Sequence, residues 1–348
     1  MMPSVLAIEQ LFSGLVEQRP DMSVVPDVAQ SWQVMDGGRR YLFHLRDDVF
    51  WSDGVPVTAG DFEYAWKQVL NPESRSLFAS MLYDVRGARA FHQGESADPE
   101  SVGVSALDDH TLTVELEKPT SPFLHVLAII DALPVPRHVV ETHGPAWTEP
   151  ENVVTNGPFR MVEWERGEGM RLERNPAYHG LSRGNVQQVE LRFVADQPAR
   201  ALRMYGADEL DIIGNLPPAD MDLARQRQAS DYVAGPWLQV DFVGFDVNRP
   251  PFDDRRVRQA LALATDRGAL ADVVLGGYAF PATGGLLPPG MPGDVPGIGL
   301  CYDPNRALQL IADAGFPEGR GFPAVVGWAR DEPTHLLLGE HLAARWNE

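Results

Sequence analysis

Cysteine is almost missing from this chain: Cys301 is the only one. No internal disulfide and no thiolate metal cluster is therefore available, and a single thiol leaves the compartment open. Basic residues are also scarce, with 29 Lys and Arg against 49 Asp and Glu and a formal net charge of -20. That balance speaks against a nucleic-acid partner, whose grip rests on neutralised phosphates. It favours solubility and, mildly, cationic ligands. No apolar run approaches the length of a membrane helix. The opening MMPSVLAIEQLF has no basic n-region and already carries Glu9, so it does not read as a signal peptide. GxxxxGKS/T, GxSxG and HExxH are absent, and Gly297-Ile298-Gly299 lacks the third glycine of a dinucleotide loop. The histidines are scattered; neither His138/His143 nor His335/His341 stands at i,i+4, so no helix face is set up for a metal. Low-complexity segments and internal repeats are missing too. These absences leave no catalytic machinery, no metal and no cofactor, and favour a binding protein over an enzyme.

What is present is globular: 44% hydrophobic and 22% charged over 348 residues, too many for one ordinary core, so two or three domains are expected. Tyr41, Phe43 and Leu45 share one face of a predicted strand, with His44 and Arg46 on the other. Asp53-Gly54 signals a turn. Thr58 caps a helix, with Asp61 three residues on as a variant capping box. Phe62, Ala65, Trp66, Val69 and Leu70 then recur at helical spacing until Asn71-Pro72 ends the helix. TLTVELE over residues 111–117 alternates as a strand after an Asp108-Asp109 turn. Residues 189–194 and 210–213 read as strands, and 198–206 as a short helix. Asp253-Asp254 opens a helix, a shorter one ends at Gly276-Gly277, and Asp303-Pro304 starts another that Gly315 closes. The Gly- and Pro-rich stretch 284–299 reads as an ordered surface loop. Asp47-Asp48 reads as a solvated strand end, and Asp331-Glu332 beside His335 as acids complementing a helix N-terminus. Trp51, Trp66, Trp147, Trp164, Trp237 and Trp328 are each either core or a ligand-stacking surface, with core the better reading for any one.

The chain end reads as a buried strand, AVVGWA at 324–329, followed by a helix over 334–346. Such a pair calls for a parallel partner strand, and none is left. The expectation is a chain that stops inside a βαβ unit; the alternative is a last helix that caps a finished domain.

The segment RRYLFHLRDDVFWSDGVPVTAGDFEYAWKQVLNPES (39–74) resembles the signature of the family-5 solute-binding proteins of ABC importers, the peptide/nickel-binding group. Other segments agree in order. They are LFSGLVEQRPDMSVVPDVAQSW (11–32), VSALDDHTLTVELEKPTSPFLHVLA (104–128) and LPVPRHVVETHG (133–144). VVTNGPFRMVEW (153–164) and RLERNPAYHG (171–180) follow, then VNRPPFDDRRVRQALALATDRGAL (247–270) and YDPNRALQLIADAGF (302–316). The match runs from about residue 3 to the last residue, and it is most similar to the oligopeptide-binding branch. The resemblance implies an α/β, type II periplasmic-binding-protein fold: two hinged lobes with mixed sheets plus an extra subdomain, the second lobe truncated. By analogy the first lobe is 1–12 with 137–238, the subdomain 13–136, and the second lobe 239–348, incomplete at its C-terminus. In this frame the tryptophans of WSDG and EYAW pack the subdomain rather than touch ligand.

The resemblance also implies capture of oligopeptides as an added strand through main-chain hydrogen bonds, in water-lined pockets. Lobe closure is then read by the transmembrane subunits of an ABC permease. The implied protein is a monomer with neither cofactor nor nucleic acid, extracytoplasmic, either periplasmic or a lipoprotein anchored at the cell surface. A ligand-sensing domain of a regulatory protein on the same fold is the alternative. Carried over position by position, Met2, Pro3 and Ser4 match the segment whose backbone pairs with peptide. Phe78 replaces a pocket tyrosine. Gly214-Asn215 matches an aromatic–Asn pair beside the ligand, with glycine enlarging the pocket. Leu275 replaces a lysine that meets a ligand carboxylate in some members. Phe78 and Leu275 are equally readable as core, and Asn215 as a turn residue. The aspartate that pairs the peptide ammonium falls outside this sequence.

Overall fold

The computed structural model describes residues 2–76, 78–180, 184–194, 198–214, 216, 218–227, 230–235, 238–289, 291 and 293–347. By its internal contacts the chain divides into two units, Met1–Phe193 and Val194–Glu348.

The first unit opens on helix α1 (Met2–Leu11), followed by a two-stranded ribbon of β1 (Val16–Gln18) and β2 (Val24–Pro26). Its main sheet comprises β3 (Ala29–Met35), β4 (Arg40–Leu45), β5 (Val104–Asp108) and β6 (Thr111–Glu115), in the order β3-β4-β6-β5. All its pairings are antiparallel, with Phe43 opposite Leu112 and Tyr41 opposite Val114. The alternation seen in the sequence is thus the pleat: Tyr41, Phe43, Leu45, Leu112, Val114 and Leu116 are all buried. Helix α2 (Ala59–Leu70) covers this sheet, packing on β5 and β6. It begins with the expected capping box, in which the Thr58 backbone amide donates to Asp61 Oδ2 at 2.8 Å. The preceding turn is closed by Asp53, whose Oδ1 accepts from the Val55 amide at 3.1 Å, while Gly54 takes φ +89°. Phe43, Trp51, Phe62 and Trp66 are completely buried at the centre of this core.

Three further short helices, α3 (Ala88–His92), α4 (Phe123–Val126) and α5 (Arg137–His143), and several 3-10 turns follow in the first unit. A second antiparallel sheet follows, of β7 (Phe159–Glu165), β8 (Gly169–Arg174) and β9 (Gln188–Arg192) in that order. It shares a small core with α1 through Leu11, Met161 and Leu172.

The second unit is helical among its described residues. It holds α6 (Pro198–Gly206), α7 (Pro218–Arg227), α8 (Arg255–Leu263), α9 (Arg267–Ala269), α10 (Pro304–Asp313) and α11 (Pro333–Trp346). Asp254 caps α8 and Asp303 caps α10 as the sequence predicts, their Oδ1 atoms accepting from the Arg256 and Arg306 amides at 2.7 and 2.9 Å. α8 and α10 pack through Ala260, Leu263, Ala307 and Leu310. A π turn, Leu270–Val274, extends α9 to Gly276 and Gly277, both at positive φ.

Two expectations are corrected here. Residues 210–213 and 324–329 are not strands, and 324–329 is not buried: Trp328 is 95% and Val326 81% exposed. A strand exists only when a neighbour takes up its amides and carbonyls. Among the described residues of this unit no strand forms, so these apolar runs have no regular structure, and Ile212, Val326 and Trp328 stay exposed. For the same reason the parallel pairing of a mixed sheet is not formed among the described residues; the three sheets present are antiparallel.

Candidate functional site

The expected ligand residues fall on both units. Met2, Pro3 and Ser4 form the first turn of α1, where backbone amides have no intrahelical acceptor; proline contributes none. Phe78 precedes the 3-10 turn Ala79–Leu82 and is 39% exposed, so it is not a core residue. Its amide donates to Ser76 Oγ at 3.3 Å and its carbonyl accepts from Met81 at 2.8 Å, which fixes the turn. Gly214 is exposed, and a Cβ built there would meet nothing within 4 Å. Asn215 lies outside the described residues. Leu275 closes the π turn, its amide donating to the Leu270 carbonyl at 3.1 Å, and it is half-buried.

In the first unit the structure brings α1 and the Phe78 turn to one place. Both touch the 3-10 turn Ile130–Ala132, which also packs on α2. That turn is anchored by Trp66, whose indole Nε1 donates to the Ala132 carbonyl at 2.9 Å. Trp51 is held similarly: it is fully buried and its Nε1 lies 3.4 Å from Asp61 Oδ2. Both tryptophans are packing residues. Trp164 instead lies under the Arg166 guanidinium, 4.1 Å from ring centroid to Cζ. Trp237 lies outside the described residues.

A buried polar junction behind α1 escaped the reading by pattern. Asn156 is fully buried and clamps Ser13, accepting from its amide at 2.9 Å and donating to its carbonyl at 3.0 Å. Asn175 Nδ2 donates to the Gly157 carbonyl at 2.9 Å, and its own amide donates to the Pro158 carbonyl at the same distance. His179 Nε2 lies 2.7 Å from Asp27 Oδ1, with both side chains largely buried. Burial pushes the Tyr178 phenol up, the Asp27 carboxylate adds to this, and a hydrogen bond with Ser13 opposes it. The Asn156 clamp holds the end of α1 to the chain entering β7, while His179, after β8, reaches the turn between β2 and β3. Asn156→Ala would leave both backbone groups of Ser13 unpaired. It is expected to lower unfolding free energy by about 2–4 kcal/mol, measured by urea titration.

In the second unit a shallow recess of about 420 Å³ is lined by Arg200, Arg203, Met204, Ala207 and Glu209. None of the described expected ligand residues lines it. Among the described residues no three His, Cys, Asp or Glu side chains are grouped as a metal site requires, and no helix is long and apolar enough to cross a membrane.

The fold class is that of the type II periplasmic-binding proteins. The chain superposes on the periplasmic oligopeptide-binding protein OppAIV of Borrelia burgdorferi with a TM-score of 0.83 at 30% identity, covering 99% of this chain and 69% of that one. Haemophilus influenzae OppA, solved in complex with RPPGFSPFR, gives 0.81 at 26% identity, covering 99% and 69%. Residues 23–348 match the family model of bacterial extracellular solute-binding proteins, family 5 Middle, and the chain belongs to that family. It is 38% identical over 285 residues to the probable deoxycholate-binding periplasmic protein YgiS of Escherichia coli, covering 81% of this chain and 52% of that protein. It is 35% identical over 315 residues to the periplasmic oligopeptide-binding protein OppA of Escherichia coli, covering 88% and 57%. The chain thus spans about half the length of these curated relatives. The family is one of solute-binding proteins rather than enzymes.

Proposed function

We propose that this chain belongs to the substrate-capturing component of an ABC importer, and that its ligands are oligopeptides held mainly by their backbones. The observation that carries this reading is the family match over 23–348, joined to a 35% identical relative named as an oligopeptide-binding protein. The sensing-domain alternative has no such support, since the similar proteins are named as binding proteins. The protein acts outside the cytoplasm as a monomer and hands peptide to permease subunits. Its lobes are 1–12 with 137–238 and 239–348, with 13–136 as the added subdomain. Met2, Pro3, Ser4, Phe78, Gly214, Asn215 and Leu275 line the peptide. The open surroundings of Gly214 leave room there for a bulky ligand side chain.

A second reading is favoured by the 38% identical relative named for deoxycholate: an amphipathic steroid carboxylate in place of peptide. Native mass spectrometry of the full-length protein purified from cells separates the two. A mixture of short peptides is expected; deoxycholate or a related steroid as the bound mass would replace the peptide reading. Gly214→Tyr is expected to narrow the side chains accepted at one peptide position by filling that open space. An unchanged profile in competition with a peptide library would remove Gly214 from the site.

A further inference from the structure

Asp131 sits in the middle of the 3-10 turn Ile130–Ala132, the piece on which α1, α2 and the Phe78 turn converge. Its neighbours are committed. Ala132 is fully buried, its amide bonds to the Ile129 carbonyl at 3.1 Å, and its carbonyl takes the Trp66 indole. Asp131 is half-buried in an apolar run, AIIDALPV, yet among the described residues no side chain donates to its carboxylate and no cation pairs with it. Burial alone pushes this carboxyl above the usual carboxylate range, with its own backbone amide the only opposing contact.

A carboxylate kept partly out of water, on a turn that the core holds rigid, is unfavourable unless something positive answers it. Several acids of this unit are answered: Asp61 takes the amides of Thr58 and Arg137, Glu63 and Glu100 take Lys67, and Asp27 faces His179. Asp131 has no such answer within the described residues and, on the turn where α1, α2 and the Phe78 turn converge, is open to a partner from outside.

We propose that Asp131 is a specificity-determining residue that pairs with a cationic side chain, lysine or arginine, of the bound peptide. The inference rests on the peptide reading above. The excess of acidic residues across the chain acts in the same direction by drawing cationic ligands toward it. Recognition would be a charge-assisted hydrogen bond made in a partly desolvated place, where such bonds are strongest.

Calorimetry on the full-length protein tests this with tri-alanine, three tripeptides carrying one lysine each at successive positions, and the same three with norleucine in its place. Norleucine keeps the apolar stem and removes the charge. The wild type is expected to bind one lysine peptide about tenfold or more tighter than its norleucine counterpart. Asp131→Asn should erase that preference and leave tri-alanine affinity within about twofold, while Asp131→Glu should restore part of it. A lysine preference that survives in Asp131→Asn, or none in the wild type, overturns the role of Asp131 with peptide binding intact. An equal loss of tri-alanine binding in Asp131→Asn would assign the residue to the scaffold and overturn it too. No binding of any peptide by the wild type overturns the peptide reading and this inference together.

Discussion

Trp66→Ala is expected to lower the unfolding free energy of the first unit by about 3–5 kcal/mol. The indole is completely buried, on the face of α2 that also buries Phe62, Ala65 and Leu70. Removing it opens a void that these close-packed neighbours cannot fill without leaving their rotamers. It also strands the Ala132 carbonyl, which Trp66 Nε1 satisfies at 2.9 Å, in a buried turn where an unpaired acceptor costs about 1–3 kcal/mol. Trp66→Phe keeps most of the apolar area but loses the hydrogen bond and part of the ring volume, so a smaller loss of about 1–3 kcal/mol is expected. Urea titration of the two variants against the wild type measures both. A loss below about 1 kcal/mol for Trp66→Ala would contradict its place in the core. Ligand affinity of Trp66→Phe, measured where it is fully folded, separates packing from stacking: an unchanged value is expected.

Local rules made the main sheet of the first unit and its covering helix legible. β4 and β6 bury alternate residues in one core with α2, so their two-residue period is written in Tyr41, Phe43, Leu45, Leu112 and Val114 themselves. The caps at Thr58, Asp254 and Asp303 are decided within three residues of each helix start, and all are present. Residues 324–329 show the limit of such reading. Val325, Val326 and Trp328 declare a preference for an extended, covered chain, but the partner that would cover them is not encoded in those residues. The junction behind α1 failed for a different reason. Ser13 and Asn156 are 143 residues apart, and Asp27 and His179 are 152 apart; a single polar contact at that separation leaves no period to detect. Only the resemblance of the TNG and NPAY segments to the family pointed to this region, and it gave no geometry. For the candidate site, Phe78 and Gly214 rest on the family resemblance; what the structure adds is that both are exposed. Asp131 was visible only as one acid among apolar neighbours.

Gly157→Ala is expected to be at least as damaging as any side-chain deletion at this junction. A Cβ at residue 157 would stand 2.6 Å from the Leu11 carbonyl carbon, 2.7 Å from the Phe12 nitrogen and 2.8 Å from the Leu11 oxygen. All three are backbone atoms, so no rotamer change relieves the contact; the end of α1 must move away from the chain entering β7. That motion breaks the Gly157 amide to Leu11 carbonyl bond of 2.9 Å and pulls Ser13 out of the Asn156 clamp. It also opens the small core of Leu11, Met161 and Leu172. Overpacking of this kind costs about 1–3 kcal/mol where side chains can yield, and with backbone on both sides about 3 kcal/mol or more is expected. Gly206→Ala is the matched control, since a Cβ there, in α6, meets nothing within 4 Å. Its expected effect is within about 0.5 kcal/mol, because Gly206 is the last residue of α6 and helix preference counts for little there. Amide hydrogen exchange locates the damage: faster exchange at Ser13 and Gly157, with β4 and β6 protected as before, is the expected pattern for Gly157→Ala. Unchanged protection at Ser13 would show that α1 is not held to β7 by this close approach.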